Sequence, residues 1–169
     1  MISLMPVVSD TSPILGLSAI GCLDLLQDQF ETVFIPQSVL AELKVETDFR
    51  GIDAIQQALS QGWLQPREIQ NKPLARSLSL ELHKGEAEAI TLAMDLGLDM
   101  IVMDERIGRE HAKALGLKTV GVLGILLNAK KHGKLDSVGK AMKALRREIG
   151  FFISERLYEE VLRQAGESE

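Results

Sequence analysis

Short apolar runs alternate with helical patterns along almost the whole chain, and this alternation limits the folds it can adopt. Strands are predicted over residues 6–9, 32–35, 63–69, 100–103 and 118–120. The clearest helix covers residues 84–96, where Ala87, Ile90 and Ala93 recur at helical spacing and Gly97 follows as a stop. Strands that alternate with helices are typical of a parallel sheet covered on both faces. The sequence therefore predicts an α/β fold.

Several helix boundaries can also be predicted. Ser12 is expected to be an N-cap, with Pro13 in the first helical position, and Pro36 is expected to end the second strand. Further helices are predicted over residues 51–61, 72–82, 105–115, 121–132, 135–148 and 155–165. The run Gly150-Phe151-Phe152 is typical of a corner rather than of a linker. We therefore expect residues 135–169 to be a helical extension packed on the same domain as residues 1–134.

Composition excludes several classes of protein. Apolar residues make up 46% of the 169, which is enough for a sizeable core. A single cysteine, Cys22, excludes an internal disulfide framework and a cysteine-based zinc site. No apolar run reaches the ~18 residues of a membrane span. No basic residue precedes the apolar stretch near the N-terminus, so no signal peptide is expected. These features predict a cytoplasmic protein.

The charge is unevenly distributed. The chain carries a net charge of −5, yet residues 128–148 hold seven basic residues against Asp136 and Glu148, which gives this segment +5. A basic surface of this kind can steer a nucleic acid towards an acidic site. A solvated helix face is the equally weighted alternative. The residues predicted to steer RNA are Lys130, Lys131, Lys134, Lys140, Lys143, Arg146 and Arg147.

Two predicted strands end in aspartate, at Asp10 and at Asp104. Sites in open α/β sheets lie at the carboxyl ends of the strands, and backbones of neighbouring strands are only ~4.8 Å apart. Carboxylates that close raise each other's pKa unless a cation neutralises them. Mg²⁺ or Mn²⁺ suits such a cluster of oxygens. Each aspartate alone fits a helix cap equally well, and the presence of two favours the functional interpretation.

Other acidic residues are ambiguous from their own context. Glu86 and Glu88 begin a helix, where acids complement the helix dipole, and at most one of them can point into a given site. Glu42 has the context of a solvated glutamate. The chain lacks the glycine pattern of a dinucleotide fold and the Lys-Ser/Thr of a phosphate loop. Ser12 has no plausible histidine partner, so a serine hydrolase is not expected.

Four segments together resemble the PIN-domain family of metal-dependent ribonucleases, and in particular the VapC-like toxins and an uncharacterised prokaryotic branch described as predicted nucleic-acid-binding proteins. Asp10 matches the first acid of the family in Val-Ser-Asp-Thr-Ser-Pro, and Glu42 the second in Ile-Pro-Gln-Ser-Val-Leu-Ala-Glu-Leu. Glu86, 11 residues before Gly97, matches the third. Asp104 matches the fourth, in Met-Ile-Val-Met-Asp-Glu. The resemblance covers residues 7–132.

This resemblance implies a three-layer α/β/α sandwich with a mostly parallel five-stranded sheet in the order 3-2-1-4-5. It implies an endoribonuclease in which Asp10, Glu42, Glu86 and Asp104 hold Mg²⁺ or Mn²⁺. Ser12 and Glu105 are secondary candidates near the same cleft. The implied partners are RNA, an antitoxin protein and a second copy of the chain. The third acid is glutamate where many toxins carry aspartate, one methylene shorter.

Two other functions fit part of the pattern. The chain could be a catalytically weak module that binds nucleic acid or an antitoxin helix, received by the cleft or by a terminal apolar stripe. That stripe is predicted at Leu157 and Val161, with Tyr158 beside them, and packing on the chain's own sheet is the simpler explanation for it. A phosphotransfer protein of the receiver type also places aspartates at strand ends. It would usually carry a second aspartate two residues after the first, where this chain has Ser12.

Overall fold

The computed structural model describes residues 4–45 and 51–167. Within these residues, five parallel strands form one sheet in the order β3-β2-β1-β4-β5. This confirms the predicted fold class and strand order. The strands are β1 (Val7–Ser9), β2 (Val33–Pro36), β3 (Leu64–Arg67), β4 (Met100–Val102) and β5 (Lys118–Val120).

Helices cover both faces of the sheet and follow each strand along the chain. Those of the first half are α1 (Thr11–Ala19), α2 (Asp24–Phe30), α3 (Gln37–Val45), α4 (Ile52–Gln61) and α5 (Lys72–Leu78). Those of the second half are α6 (Lys84–Asp95), α7 (Arg106–Ala114), α8 (Val122–Lys131), α9 (Val138–Ile149) and α10 (Glu155–Gln164).

The two faces of the sheet bury two separate apolar clusters. Successive side chains of a strand point to opposite faces, so Val7 packs under α1, α2 and α8 while Val8 packs under α6. The same alternation places Val102 in the first cluster and Ile101 in the second. Helices α4, α9 and α10 extend the first layer, and α5 and α7 complete the second. The result is a three-layer sandwich.

The start of α1 differs from the prediction. Asp10, not Ser12, is the N-cap, because its backbone is extended and its carboxylate accepts the Ser12 N–H. Pro13 is consequently the third helical residue instead of the first, a position where its missing N–H still costs no intrahelical bond. Pro36 also lies inside β2 as its last residue, and α3 begins directly at Gln37.

The C-terminal helices pack on the domain rather than apart from it. Tyr158, Val161 and Leu162 of α10 are buried against α8 and α9, whereas Leu157 is 44% exposed. The predicted stripe is therefore wrong at Leu157, and its contact is with helices rather than with the sheet. The boundary near residue 134 remains a prediction.

A single carboxylate joins the end of the chain to α9. Glu167 accepts the N–H groups of Val138 and Gly139 at 2.7 and 3.0 Å and the hydroxyl of Ser137 at 3.0 Å. Lys130 lies 3.3 Å from it. Burial opposes ionisation, but these hydrogen bonds hold the pKa of Glu167 below its ordinary value.

We predict that Glu167→Ala lowers the free energy of unfolding by about 2 kcal/mol at pH 7, because charge-assisted hydrogen bonds to a helix start are lost. Since the pKa of Glu167 is lowered in the folded state, this contribution should decrease as the pH falls through the ordinary pKa of 4.5 and below it. Urea unfolding measures both effects. Glu159→Ala, at an exposed position of α10, is the control and should change stability by less than ~0.5 kcal/mol. Equal stability of the two variants would contradict the assignment.

Candidate functional site

The pairing of β1 with β4 brings Asp10 and Asp104 to one edge of the sheet. Ser9 is in register with Val102, and the Asp10 N–H donates to the Val102 carbonyl at 3.2 Å. Asp104 follows two residues later. Because parallel strands end at the same edge, both carboxylates lie where the sequence predicted them to meet.

Asp10 is almost completely buried, with 5% of its surface exposed. One carboxylate oxygen accepts the Ser12 N–H at 3.1 Å. Burial raises the pKa of Asp10 to about 7, against the lowering effect of that hydrogen bond. The negative charges of Glu86, Asp104 and Glu42 add to the rise. The charges of the other three carboxylates predicted from the sequence therefore all act on Asp10.

Asp104 caps a helix that lies far from it in the sequence. Its Oδ1 accepts the Val122 N–H at 2.8 Å, at the start of α8. A Cβ on Gly121 would lie 2.6 Å from the same oxygen, so only glycine lets the chain approach this closely. Burial raises the pKa of Asp104, while the Val122 hydrogen bond and the charge of Arg109 oppose the rise. Its Oδ2 is buried without a hydrogen-bond partner among the described residues.

Glu86, at the start of α6, resembles Asp104 in that one carboxylate oxygen accepts a backbone N–H and the other has no partner among the described residues. It is 8% exposed, and its Oε1 accepts the His83 N–H at 3.1 Å. Its Oε2 is buried and meets no hydrogen-bonding group in the part of the chain that the structure describes. Burial raises the pKa of Glu86, and the charges of Glu105 and Glu42 add to the rise. Glu88 lines a different groove, so the fold separates two glutamates that local context left equivalent.

Glu42 is exposed and lies at the rim of the site. A Cβ on Gly85 would lie 2.6 Å from its Oε1, so the absent side chain of Gly85 lets Glu42 approach the start of α6. Its own context predicted a solvated glutamate, which its exposure matches. Only the packing of α3 against α6 gives it a place beside the other acids.

A cavity of about 330 Å³, which we call the acidic pocket, opens over Asp10, Glu42 and Glu86, whereas Asp104 is not among the residues that line it. Both secondary candidates line it, and Glu105 also caps α7 by accepting the Gly108 N–H at 2.9 Å. Thr11 and His83 line it as well, although the sequence did not single them out. The Thr11 hydroxyl is buried without a partner among the described residues. The sequence signal that could have identified Thr11 is its position between two candidate residues, Asp10 and Ser12. The lining residues are Asp10, Thr11, Ser12, Leu15, Glu42, His83, Gly85, Glu86 and Glu105.

The comparison with family models decides the membership. The model of the family DUF3368, described as a PIN domain, matches residues 6–167. The chain belongs to the PIN-domain family. No curated protein and no solved structure matches it. PIN domains are generally nucleases, often metal-dependent, so membership supports a nucleic-acid-binding hydrolase. Among the described residues no helix is long and apolar enough to cross a membrane.

The pocket of this PIN domain fits a hard divalent cation by its chemistry. In residues 4–45 and 51–167, no group of three Asp, Glu, His or Cys side chains is already arranged to hold a metal ion. Magnesium sites, however, commonly use only one or two carboxylates and keep several waters. The buried, unpartnered oxygens of Glu86 and Asp104 are ligands of the required type, and a cation would offset the negative charges of Glu86, Asp104 and Glu42 around Asp10.

The basic residues predicted to steer RNA lie away from the acidic pocket, and none of the seven lines it. Helix α8 starts beside Asp104 and extends for ten residues, a length of ~15 Å, so Lys130 and Lys131 lie at its far end. Lys130 donates to the Asp136 carbonyl and pairs with Glu167. Arg146 donates to the Ile153 carbonyl and stacks on Tyr158. At least two of the seven cations thus have structural partners.

We predict that Asp10→Asn makes the metal-free PIN domain more stable at pH 8. An unfolded chain ionises this carboxyl near its ordinary pKa of 3.8, whereas the folded chain does so at about 7. The wild type should therefore lose stability as the pH rises between about 4 and 7, at most roughly 4 kcal/mol. Asparagine keeps the helix cap and carries no charge.

Urea unfolding in the presence of a chelator, across pH 4 to 8, measures this difference. Asp99→Asn, which removes an exposed carboxylate, serves as the control and should follow the wild type. If Asp10→Asn also followed the wild type at every pH, Asp10 would not be the destabilising carboxyl.

Proposed function

We propose that this PIN domain is a metal-dependent endoribonuclease and that Asp10, Glu42, Glu86 and Asp104 are its metal ligands. The observation that carries the proposal is the pair of buried carboxylate oxygens, on Glu86 and Asp104, that no protein donor satisfies within the described residues. Leaving such groups unsatisfied is costly, and a bound divalent cation would satisfy them.

The roles of the residues follow from their surroundings. Asp10 and Asp104 lie just after the paired central strands β1 and β4, and we assign them to direct contact with Mg²⁺ or Mn²⁺. Glu42 and Glu86 are assigned to contacts made partly through water. A divalent ion held there lowers the pKa of a bound water and stabilises charge on a phosphate.

The protein side chains supply charge balance and positioning. Without a cation the carboxylates repel the scissile phosphodiester, so its entry into the acidic pocket depends on the loaded site. Asp10 has to give up its proton to bind the ion. Ser12 and Thr11 lie at the pocket wall and can donate hydrogen bonds to a water or to a phosphate oxygen. Glu105 fixes the start of α7 at the opposite side.

The first test is Mn²⁺ binding by calorimetry, with the wild type and Asp10→Asn/Asp104→Asn. We expect micromolar to millimolar affinity that disappears in the double variant. Cleavage of single-stranded RNA should fall more than ~100-fold in Asp10→Asn, since loss of outer-shell partners alone costs 10–100-fold. Asp99→Asn is the matched surface control. A folded wild type that binds no Mn²⁺, or an Asp10→Asn variant that cleaves at the wild-type rate, would refute the proposal.

The biological role that we propose is that of a VapC-like toxin acting in the cytoplasm, paired with an antitoxin and able to form a homodimer. Its support is the ordered match of four acidic motifs to that branch. Expression of the wild type should arrest growth, and expression of Asp10→Asn should not. If the wild type bound no metal and growth continued, the binding-module alternative, in which the domain holds nucleic acid or an antitoxin without cleaving RNA, would take its place.

A further inference from the structure

A second and larger groove adjoins the acidic pocket. It encloses about 740 Å³ between α5 and the start of α6, and we call it the basic groove. Lys72, Arg76, His83 and Lys84 line it, with Glu88 as its acidic member. His83 lines the acidic pocket as well, so the two cavities meet at this residue. No local sequence pattern indicates this surface.

The cations of the groove are available to a ligand. Lys72 and Arg76 are four residues apart on α5, so they share one side of the helix. Both are exposed, as is Lys84, and none of the three forms an ion pair within residues 4–45 and 51–167. Three cations against Glu88 leave an excess of two positive charges, in a chain whose net charge is −5.

The walls of the groove are held in place at both ends of α5. Asp95, the last residue of α6, accepts the N–H groups of Gln70 and Asn71 at 2.5 and 3.2 Å. Beyond the other end of α5, Glu81 contacts His111 of α7 at 2.6 Å. These contacts fix the position of α5, which carries Lys72 and Arg76, relative to the acidic pocket. A ligand that binds there therefore does not have to order this helix.

We infer that the basic groove binds the phosphates of single-stranded RNA that flank the cleavage position in the acidic pocket. This inference rests on the proposed ribonuclease function. It follows from charge complementarity and from proximity, because His83 lines both the basic groove and the acidic pocket. The imidazole of His83 is the only ring in the described lining on which a base could stack, so recognition is directed mainly at the backbone and depends strongly on salt.

The test measures RNA binding independently of cleavage. A fluorescently labelled single-stranded RNA is titrated with Asp10→Asn protein, which leaves the strand intact, at several salt concentrations. Lys72→Glu/Arg76→Glu should weaken binding at least ~10-fold and reduce the salt slope by about 1.4, since each single-strand phosphate contact contributes ~0.7. Glu88→Gln should tighten binding.

The control reverses two exposed lysines of the segment predicted from the sequence, Lys131→Glu/Lys140→Glu. It changes the net charge by the same amount and should weaken binding less than ~3-fold. An equal or larger loss in the control, or no loss in the groove variant, would overturn the inference and leave the groove to another ligand, such as an acidic protein segment. Absence of any RNA binding by the Asp10→Asn protein would overturn it too.

Cleavage assays separate this inference from the proposed function. If the wild type cleaves RNA and the groove variant binds and cleaves normally, the ribonuclease stands and the groove assignment fails. If RNA binding depends on the groove but the wild type cleaves nothing, the groove stands and the ribonuclease fails.

Discussion

The parallel pairing of β1 with β4 places two aspartates, the buried Asp10 and the partly exposed Asp104, at one end of the sheet, and the candidate site depends on this contact. Ser9 and Val102 are in register, so Asp10 and Asp104 follow at neighbouring strand ends. Burial, together with the charges of Glu86, Asp104 and Glu42, raises the pKa of Asp10 to about 7. Carboxyl groups perturbed in this way are concentrated at functional sites.

Helix starts make this concentration of acids compatible with folding. Asp10, Glu86 and Asp104 each give one oxygen to a backbone N–H at the beginning of a helix. The positive end of the helix dipole adds to the stabilisation. For Glu86 and Asp104 the second oxygen is left without a donor. The capping role and the proposed metal-binding role are therefore compatible in the same carboxylate, although from the sequence they were alternatives.

Much of the fold could be predicted because it is encoded locally. The short apolar run that includes Ile101 and Val102 predicts a strand. The apolar residues that recur at helical spacing after Lys84 predict a helix. The errors lie at boundaries and on surfaces. Leu157 was predicted to lie in an apolar stripe that packs on the sheet. It is exposed, whereas Leu162 of the same helix is buried. The RNA-steering role of the lysines near residue 130 stays a prediction; helix α8 carries them to the end far from Asp104, where Lys130 pairs with Glu167.

The sequence by itself determined the elements, the parallel sheet and the two aspartates at strand ends, because strand and helix periods and the residues that end them are local properties. Tertiary structure decided the rest. It placed Glu42 over Gly85, chose Glu86 over Glu88, and joined a basic groove on α5 to the acidic pocket at His83. Such choices depend on contacts between residues far apart in the chain, and no local spacing encodes where two packed helices bring their side chains together.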